Sequence, residues 1–159
     1  MVHTTLCYIE KDGKYLMLHR VKKENDLNKD KWIGIGGKFE KGETARDCVL
    51  REVKEETGLS LTDFSYRAEI LFCPETPIEE TMHLFTATGF EGDLRTDCDE
   101  GELCWIEKEK LLSLPHWEGD KIFLDLIQNE NYPFFKLTLC YDGSRLTKAV
   151  LNGEELKIS

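Results

Sequence analysis

The sequence predicts an α/β or α+β sandwich, and three observations predict it. Short segments that alternate apolar and polar residues are interleaved with segments of helical period along the 159 residues. One helical segment opens on Thr44, a capping residue, and stops at Gly58. The C-terminal stretch alternates around Asp142-Gly143 and Asn152-Gly153, both strong hairpin dipeptides. No internal repeat, low-complexity tract or linker interrupts the pattern. The length suits a single domain over 1–159, with enough chain to bury a real core.

Taken in order, Thr4 to Glu10 and Lys14 to Arg20 read as two strands around a Lys11-Asp12-Gly13 turn. Residues 21–31, "VKKENDLNKDK", are polar and aperiodic and read as a loop. Trp32 and Ile33 lead into a glycine-rich bend, Gly34 to Gly37. A helix follows from Thr44 to about Thr57. Phe64 to Cys73 and Met82 to Phe90 read as strands, with "PETPIEE" as the loop between them. Glu102 to Glu107 reads as a short strand, and Lys108 to Leu114 and Trp117 to Asn129 as helices.

Composition excludes some functions. A formal net charge of -10 repels a polyphosphate backbone, so a nucleic-acid polymer is not the expected partner. A small phosphate-bearing ligand remains open if a cation bridges it to the protein. No apolar run approaches the roughly 20 residues that span a bilayer, so no membrane role is expected. The N-terminus lacks the basic start and apolar stretch of a secretory signal. The six cysteines contain no C-x-x-C pair, and in a chain able to form a core they read as reduced thiols. A cytoplasmic location is the expectation. Oligomeric state is not legible.

The helix carries the chemistry. At about 100° per residue, Glu52, Glu55 and Glu56 fall on one face at i, i+3, i+4. Val49, Leu50 and Val53 take the adjacent arc, which suits packing on a sheet. Three like charges beside a buried stripe repel one another, and the C-terminal half of a helix is the wrong end for anions. Folding alone does not ask for that cost. Two readings remain: a solvated acidic face partnered by Arg51 and Lys54, or a site for a hard divalent cation such as Mg²⁺ or Mn²⁺.

The glycine loop is not a phosphate cradle of known type. "GKFEKGET" nearly fits G-x-x-x-x-G-K-[ST], but Glu43 stands at the lysine position and would repel phosphate. The dinucleotide fingerprint G-x-G-x-x-G fails at Phe39. What is left is bare backbone that approaches the acidic helix closely, with carbonyls available to a metal.

Gly37, Glu43, Arg51, Glu52, Val53, Glu55, Glu56, Gly58 and Leu59 match, at every spacing, the pattern G-x5-E-x7-R-E-U-x-E-E-x-G-U, where U is aliphatic. In this the chain resembles the Nudix hydrolases. The resemblance implies an α/β/α sandwich with a mixed β-sheet, and hydrolysis of a nucleoside diphosphate linked to another group. It implies Mg²⁺ or Mn²⁺ held by Glu52, Glu55 and Glu56 with the Gly36 or Gly37 carbonyl. Arg51 and Glu43 would form a supporting pair. The sequence does not say which glutamate is the general base; Glu55 and Glu52 are candidates.

Further segments, "YLMLHR", "WIGIGGKFEKGE" and "LSLPHWEGDKIFLDLI", are similar to the MutT/MutX-like 8-oxo-dGTP diphosphatase branch. The resemblance places Glu100 as a further metal or base carboxylate, Trp117 as the residue that stacks on the purine, and Asp120 as the one that hydrogen-bonds its edge. Their structural alternatives are a helix-start tryptophan and a first-turn helix acid. Lys23 and Lys38, with Arg20, could meet the triphosphate or lie on the surface. Two positions depart from the vertebrate members: Ile33 replaces an asparagine that contacts the base, and Gly119 replaces the first of two adjacent aspartates. Base selectivity in this chain is therefore open. His19, His83 and His116 show no spacing that suggests zinc. The expected activity is Mg²⁺-dependent hydrolysis of nucleoside triphosphates, 8-oxo-dGTP foremost, to monophosphate and pyrophosphate. The rivals are another nucleotide such as ADP-ribose, and a non-catalytic ligand sensor of the same fold.

Overall fold

A computed structural model describes residues 2–20, 30–73, 79–95 and 101–158. The strands are β1 (Val2–Lys11), β2 (Lys14–His19), β3 (Trp32–Ile33), β4 (Ser60–Cys73), β5 (Glu80–Glu91), β6 (Glu102–Glu107), β7 (Phe135–Asp142), β8 (Arg145–Leu151) and β9 (Glu154–Glu155). The helices are α1 (Ala45–Thr57) and α2 (Asp120–Ile127), and a 3-10 turn spans Lys108–Ser113. The strands join in one sheet in the order β3-β2-β1-β5-β4-β7-β8-β9, with β6 also on β2. The β1–β5 and β4–β7 pairs are parallel and the others antiparallel, so the sheet is mixed, as expected.

The two faces of the sheet bury two cores. Strand alternation sends Cys7, Ile9, Leu16, Leu18 and Phe85 to the α1 side, where Val49 and Val53 meet them. It sends Tyr8, Met17, Ile70, Leu84, Leu137 and Leu139 to the other side, where Phe123, Leu124 and Ile127 of α2 cover them. Each fully buried side chain of this kind contributes about 1.5–3 kcal/mol of burial.

Local signals set α1. Thr44 Oγ1 accepts from Asp47 N, and Asp47 accepts back from Thr44 N, which closes a capping box. At the far end Gly58 adopts φ 82° and donates to Lys54 O. The β1–β2 turn behaves likewise, with Asp12 and Gly13 both at positive φ.

Several boundaries differ from expectation. Strand β4 begins at Ser60, four residues early, because register shifts at Asp63 and Tyr66 break its alternation. The segment from Lys108 tightens into a 3-10 turn ending at Ser113. Helix α2 runs only from Asp120 to Ile127, because Trp117 to Asp120 is a separate tight turn closed by Asp120 N on Trp117 O, 3.0 Å. Not all thiols are separate either. Cys73 and Cys140 stand opposite each other across the β4–β7 pair, Cα atoms 4.6 Å apart, and are joined as a disulfide. Cys7, Cys48 and Cys104 are free. Residues 21–29 and 74–78 of the two expected loops, and Cys98, lie outside the described residues. Among the described residues no helix is long and apolar enough to cross a membrane.

Candidate active site

Strand β1 pairs with β2 only through Ile9 to Lys11. Its first half is bridged instead by the glycine segment, at Cys7↔Ile35 and Thr4↔Lys38. The bare backbone of Gly36 and Gly37 therefore fills the split between the two parts of the sheet. Both glycines are required there. A Cβ on Gly36 would lie 1.8 Å from Thr5 O, and one on Gly37 would lie 2.5 Å from the Glu52 carboxyl carbon.

Helix α1 presents its acids to this segment. Glu52 abuts Gly37, and Glu56 Oε2 accepts from Gly36 N at 3.1 Å. The Gly37 carbonyl turns to β1, where it accepts from Thr5 N at 2.9 Å. Arg51 organises the rest. Its Nε and Nη2 grip both oxygens of Glu43 at 2.7 and 2.9 Å, a bidentate pair. Its Nη1 donates to Glu52 Oε1 at 2.8 Å and Glu55 Oε2 at 3.1 Å, and Nη2 to Lys38 O at 3.1 Å. The Arg51 hydrogen bonds, then the backbone N–H of Glu40, pull the Glu43 carboxyl down to about 2. The same contacts push Arg51 further up, so it is charged at every working pH.

The sequence predicted that Gly36, Gly37, Glu43, Arg51, Glu52, Glu55 and Glu56 would meet, and the structure brings them together. The three acidic side chains of α1 nevertheless do not form a bare cluster. Among the described residues no group of three His, Cys, Asp or Glu stands gathered to hold a metal. The physical reason is Arg51, which draws Glu52 and Glu55 to itself. The donor set fits a hard divalent cation all the same: carboxylate oxygens on one helix face, against glycine backbone that brings carbonyls within reach.

Across the split, the α2 face of the sheet carries a different lining. Phe72, Met82, Tyr141 and Trp32 pack on the α2-side core but remain partly exposed ahead of the helix. Trp117 lies with its ring edge-on to Tyr141, centroids 5.6 Å apart, and the Lys31 ammonium sits 4.4 Å above the Trp117 ring. Asp120 Oδ2 accepts from Trp117 N at 3.2 Å. Burial raises the Asp120 carboxyl to about 7, against the weaker lowering by that backbone N–H and by Lys31. Trp117 and Asp120 therefore do meet, beside the Tyr141 ring.

Other expected residues fall elsewhere. Ile33 packs against the α1-side core opposite Leu18, because alternation in β3 turns its neighbour Trp32 to the α2 side. The Lys38 side chain is exposed, and the residue enters the site through its carbonyl. Glu100 and Lys23 lie outside the described residues. Lys31, Phe72, Met82 and Tyr141 were not foreseen as site residues. Their one signal in the sequence is strand alternation, which places Phe72, Leu139 and Tyr141 on a common face only once the β4–β7 register is known.

The sheet is mixed and lies between two helices, with an arginine-braced acidic helix on one face and a group of aromatic side chains on the other. The NUDIX domain model matches residues 2–127, and the chain belongs to that family. It is a Nudix hydrolase, and enzymes of this family act on small nucleotide substrates that differ from member to member. It is 30% identical to the uncharacterized Nudix hydrolase YvcI of Bacillus subtilis over 127 residues, 77% of either chain. It is 29% identical to the oxidized purine nucleoside triphosphate hydrolase of Danio rerio over 125 residues, again 77% of either chain. Among solved structures, the mutator MutT protein of Bacillus halodurans superposes with a TM-score of 0.83 at 26% identity, covering 97% of this chain and 99% of that one. Nudix hydrolases generally act with divalent cations such as Mg²⁺.

Proposed function

We propose that this chain hydrolyses purine nucleoside triphosphates with Mg²⁺, 8-oxo-dGTP foremost, to the monophosphate and pyrophosphate, and so removes oxidised precursors from the nucleotide pool. The observation that carries this reading is Asp120, half-buried beside Trp117 at the start of α2, on the opposite face of the sheet from the acidic helix. A base stacked on Trp117 gains about 1–3 kcal/mol whatever its identity. Selection falls to the polar group. With its carboxyl raised toward neutrality by burial, Asp120 can accept from a ring N–H or donate to an exocyclic oxygen, and a base offering neither leaves it unpaired.

With the base beside Trp117, the phosphate chain runs past Gly36 and Gly37 to α1. Glu52, Glu55 and Glu56, with the Gly36 carbonyl, would hold the cation there. Bound Mg²⁺ would screen the phosphate oxygens and acidify a coordinated water. Arg51 fixes Glu52 and Glu55 and ties them through Glu43 to the start of the helix. Glu55, more exposed than Glu52, is free to take the proton of the attacking water once Arg51 releases it. Glu100 would add a further carboxylate. The relative named for oxidised purines supports the substrate. Intact carboxylates argue against a ligand sensor of the same fold.

The test is pyrophosphate release over a panel of nucleotides with Mg²⁺, for wild type and Glu56→Gln. Glu56→Gln should lower kcat by about 10²-fold or more. Unchanged turnover would overturn the cation site. Equal kcat/KM for dGTP and 8-oxo-dGTP would overturn the oxidised substrate and leave the reaction class standing.

A further inference from the structure

We propose that the Tyr141 hydroxyl is a specificity-determining donor that works beside Asp120, so that the pair reads a lactam edge (a ring carbonyl next to a ring N–H) and takes 6-oxopurine nucleotides in preference to 6-aminopurine ones. This rests on Trp117 and Asp120 forming the base site, as proposed above.

The geometry at residue 119 is the starting point. Tyr141 Oη accepts from Gly119 N at 2.7 Å. A Cβ on residue 119 would lie 2.6 Å from that oxygen and 2.7 Å from Leu139 Cδ1. Leu139 Cδ1 is the end of a flexible side chain, but the phenol oxygen is held by its hydrogen bond. A side chain at residue 119 would have to displace the Tyr141 hydroxyl and Leu139, and the polar atom at this end comes from β7, not from the turn.

The phenol has one proton to give, and an oxygen that accepts from a backbone N–H must send that proton elsewhere. Among the described residues the hydroxyl shows no second hydrogen bond. Burial, the main cause, with the nearby Asp120 and Glu118 carboxyls adding to it, raises the Tyr141 hydroxyl to about 12, so it stays protonated through the working range. The ring is fixed on both sides, edge-on to Trp117 at 5.6 Å and tilted to Phe72 at 6.4 Å. A fixed donor next to the carboxyl that follows Gly119 presents donor and acceptor side by side. Guanine, hypoxanthine and 8-oxoguanine carry the complementary carbonyl and N–H. Adenine carries an amino group and a bare ring nitrogen in their place, so the Tyr141 proton meets another donor whichever form Asp120 takes.

Tyr141→Phe keeps the ring and removes only the hydroxyl. It should lower kcat/KM for dGTP, dITP and 8-oxo-dGTP by about 10-fold or more, through KM with kcat little changed, and leave dATP within about 2-fold. An equal fall for dATP, or no change for the 6-oxopurines, would overturn the proposal. The variant also frees Gly119 N, so a second measurement guards against a merely loosened turn. Titration of wild type and variant with dGMP and dAMP should show the dGMP preference shrinking by a similar factor with dAMP affinity held, whereas a loosened turn would weaken both alike. Because the monophosphates are not hydrolysed, this arm decides the role of Tyr141 even if none of the triphosphates turns over. A dGMP preference that survives Tyr141→Phe would overturn it.

Discussion

Arg51 donates to four carboxylate oxygens, on Glu43, Glu52 and Glu55, and to the Lys38 carbonyl. One side chain thus fixes the acidic face that the sequence identifies and also explains why that face is not a bare cluster. Asp120 shows the opposite electrostatics. Glu43 is held down by a cation, whereas Asp120 is pushed up by burial to about 7 from an ordinary 3.8. A carboxyl raised on folding favours the neutral form in the native state. Its contribution to stability is whole below about pH 4 and is lost as pH rises through about 7. Asp120→Asn, neutral at every pH, should therefore gain on wild type in urea midpoint between pH 4 and pH 8. Base preference in wild type should also change across pH 7 and be flat in the variant. Parallel stability curves for the two proteins would contradict the buried carboxyl.

At the scale of elements, α1 is the most legible part of the chain. Its cap, its stop and its two faces follow from residues within one turn of each other, so Thr44, Gly58 and the i, i+3, i+4 acids could be placed before any tertiary contact was known. Gly58 carries a clear prediction. It holds φ 82°, and a Cβ there would lie 2.8 Å from Asp93 O and from Arg95 Cγ. Gly58→Ala should cost at least about 1–2 kcal/mol for the left-handed backbone alone, seen as a lower urea midpoint with unchanged slope. An unshifted midpoint would contradict it. Helix α2 was less legible. Its apolar period extends over Trp117 to Asn129, but the turn from Trp117 to Asp120 is shaped by the Tyr141 hydroxyl on Gly119 and by Asp120 on Trp117 N, and the first of these contacts comes from a strand 22 residues away. Strand β4 was underread for a related reason, since bulges erase the period that reveals a strand.

At the scale of the molecule, the two cores share one sheet, and α2 both seals the second core and begins at Asp120. Phe123 is 1% exposed and its ring lies 6.1 Å from that of Tyr8. Phe123→Ala should destabilise the fold by about 3–5 kcal/mol by chemical denaturation; a loss below about 1 kcal/mol would mean that α2 is not a structural layer. The sequence by itself determined the chemistry. The acidic face, its arginine and its glycine loop lie within residues 36–58, where helical period and turn preference act over a few residues and leave a readable spacing. The tertiary structure alone decided the proposed base site and the Cys73–Cys140 pair. Phe72, Met82 and Tyr141 converge only through the registers of β1 with β5 and β4 with β7, and Trp32 joins them through β3 on β2. Those parallel pairings join segments dozens of residues apart, and a shift of one residue would turn every side chain to the other face. The β2–β3 register decides that Trp32 rather than Ile33 turns to the α2 side, and the Tyr141 hydroxyl reaches residue 119 only from β7.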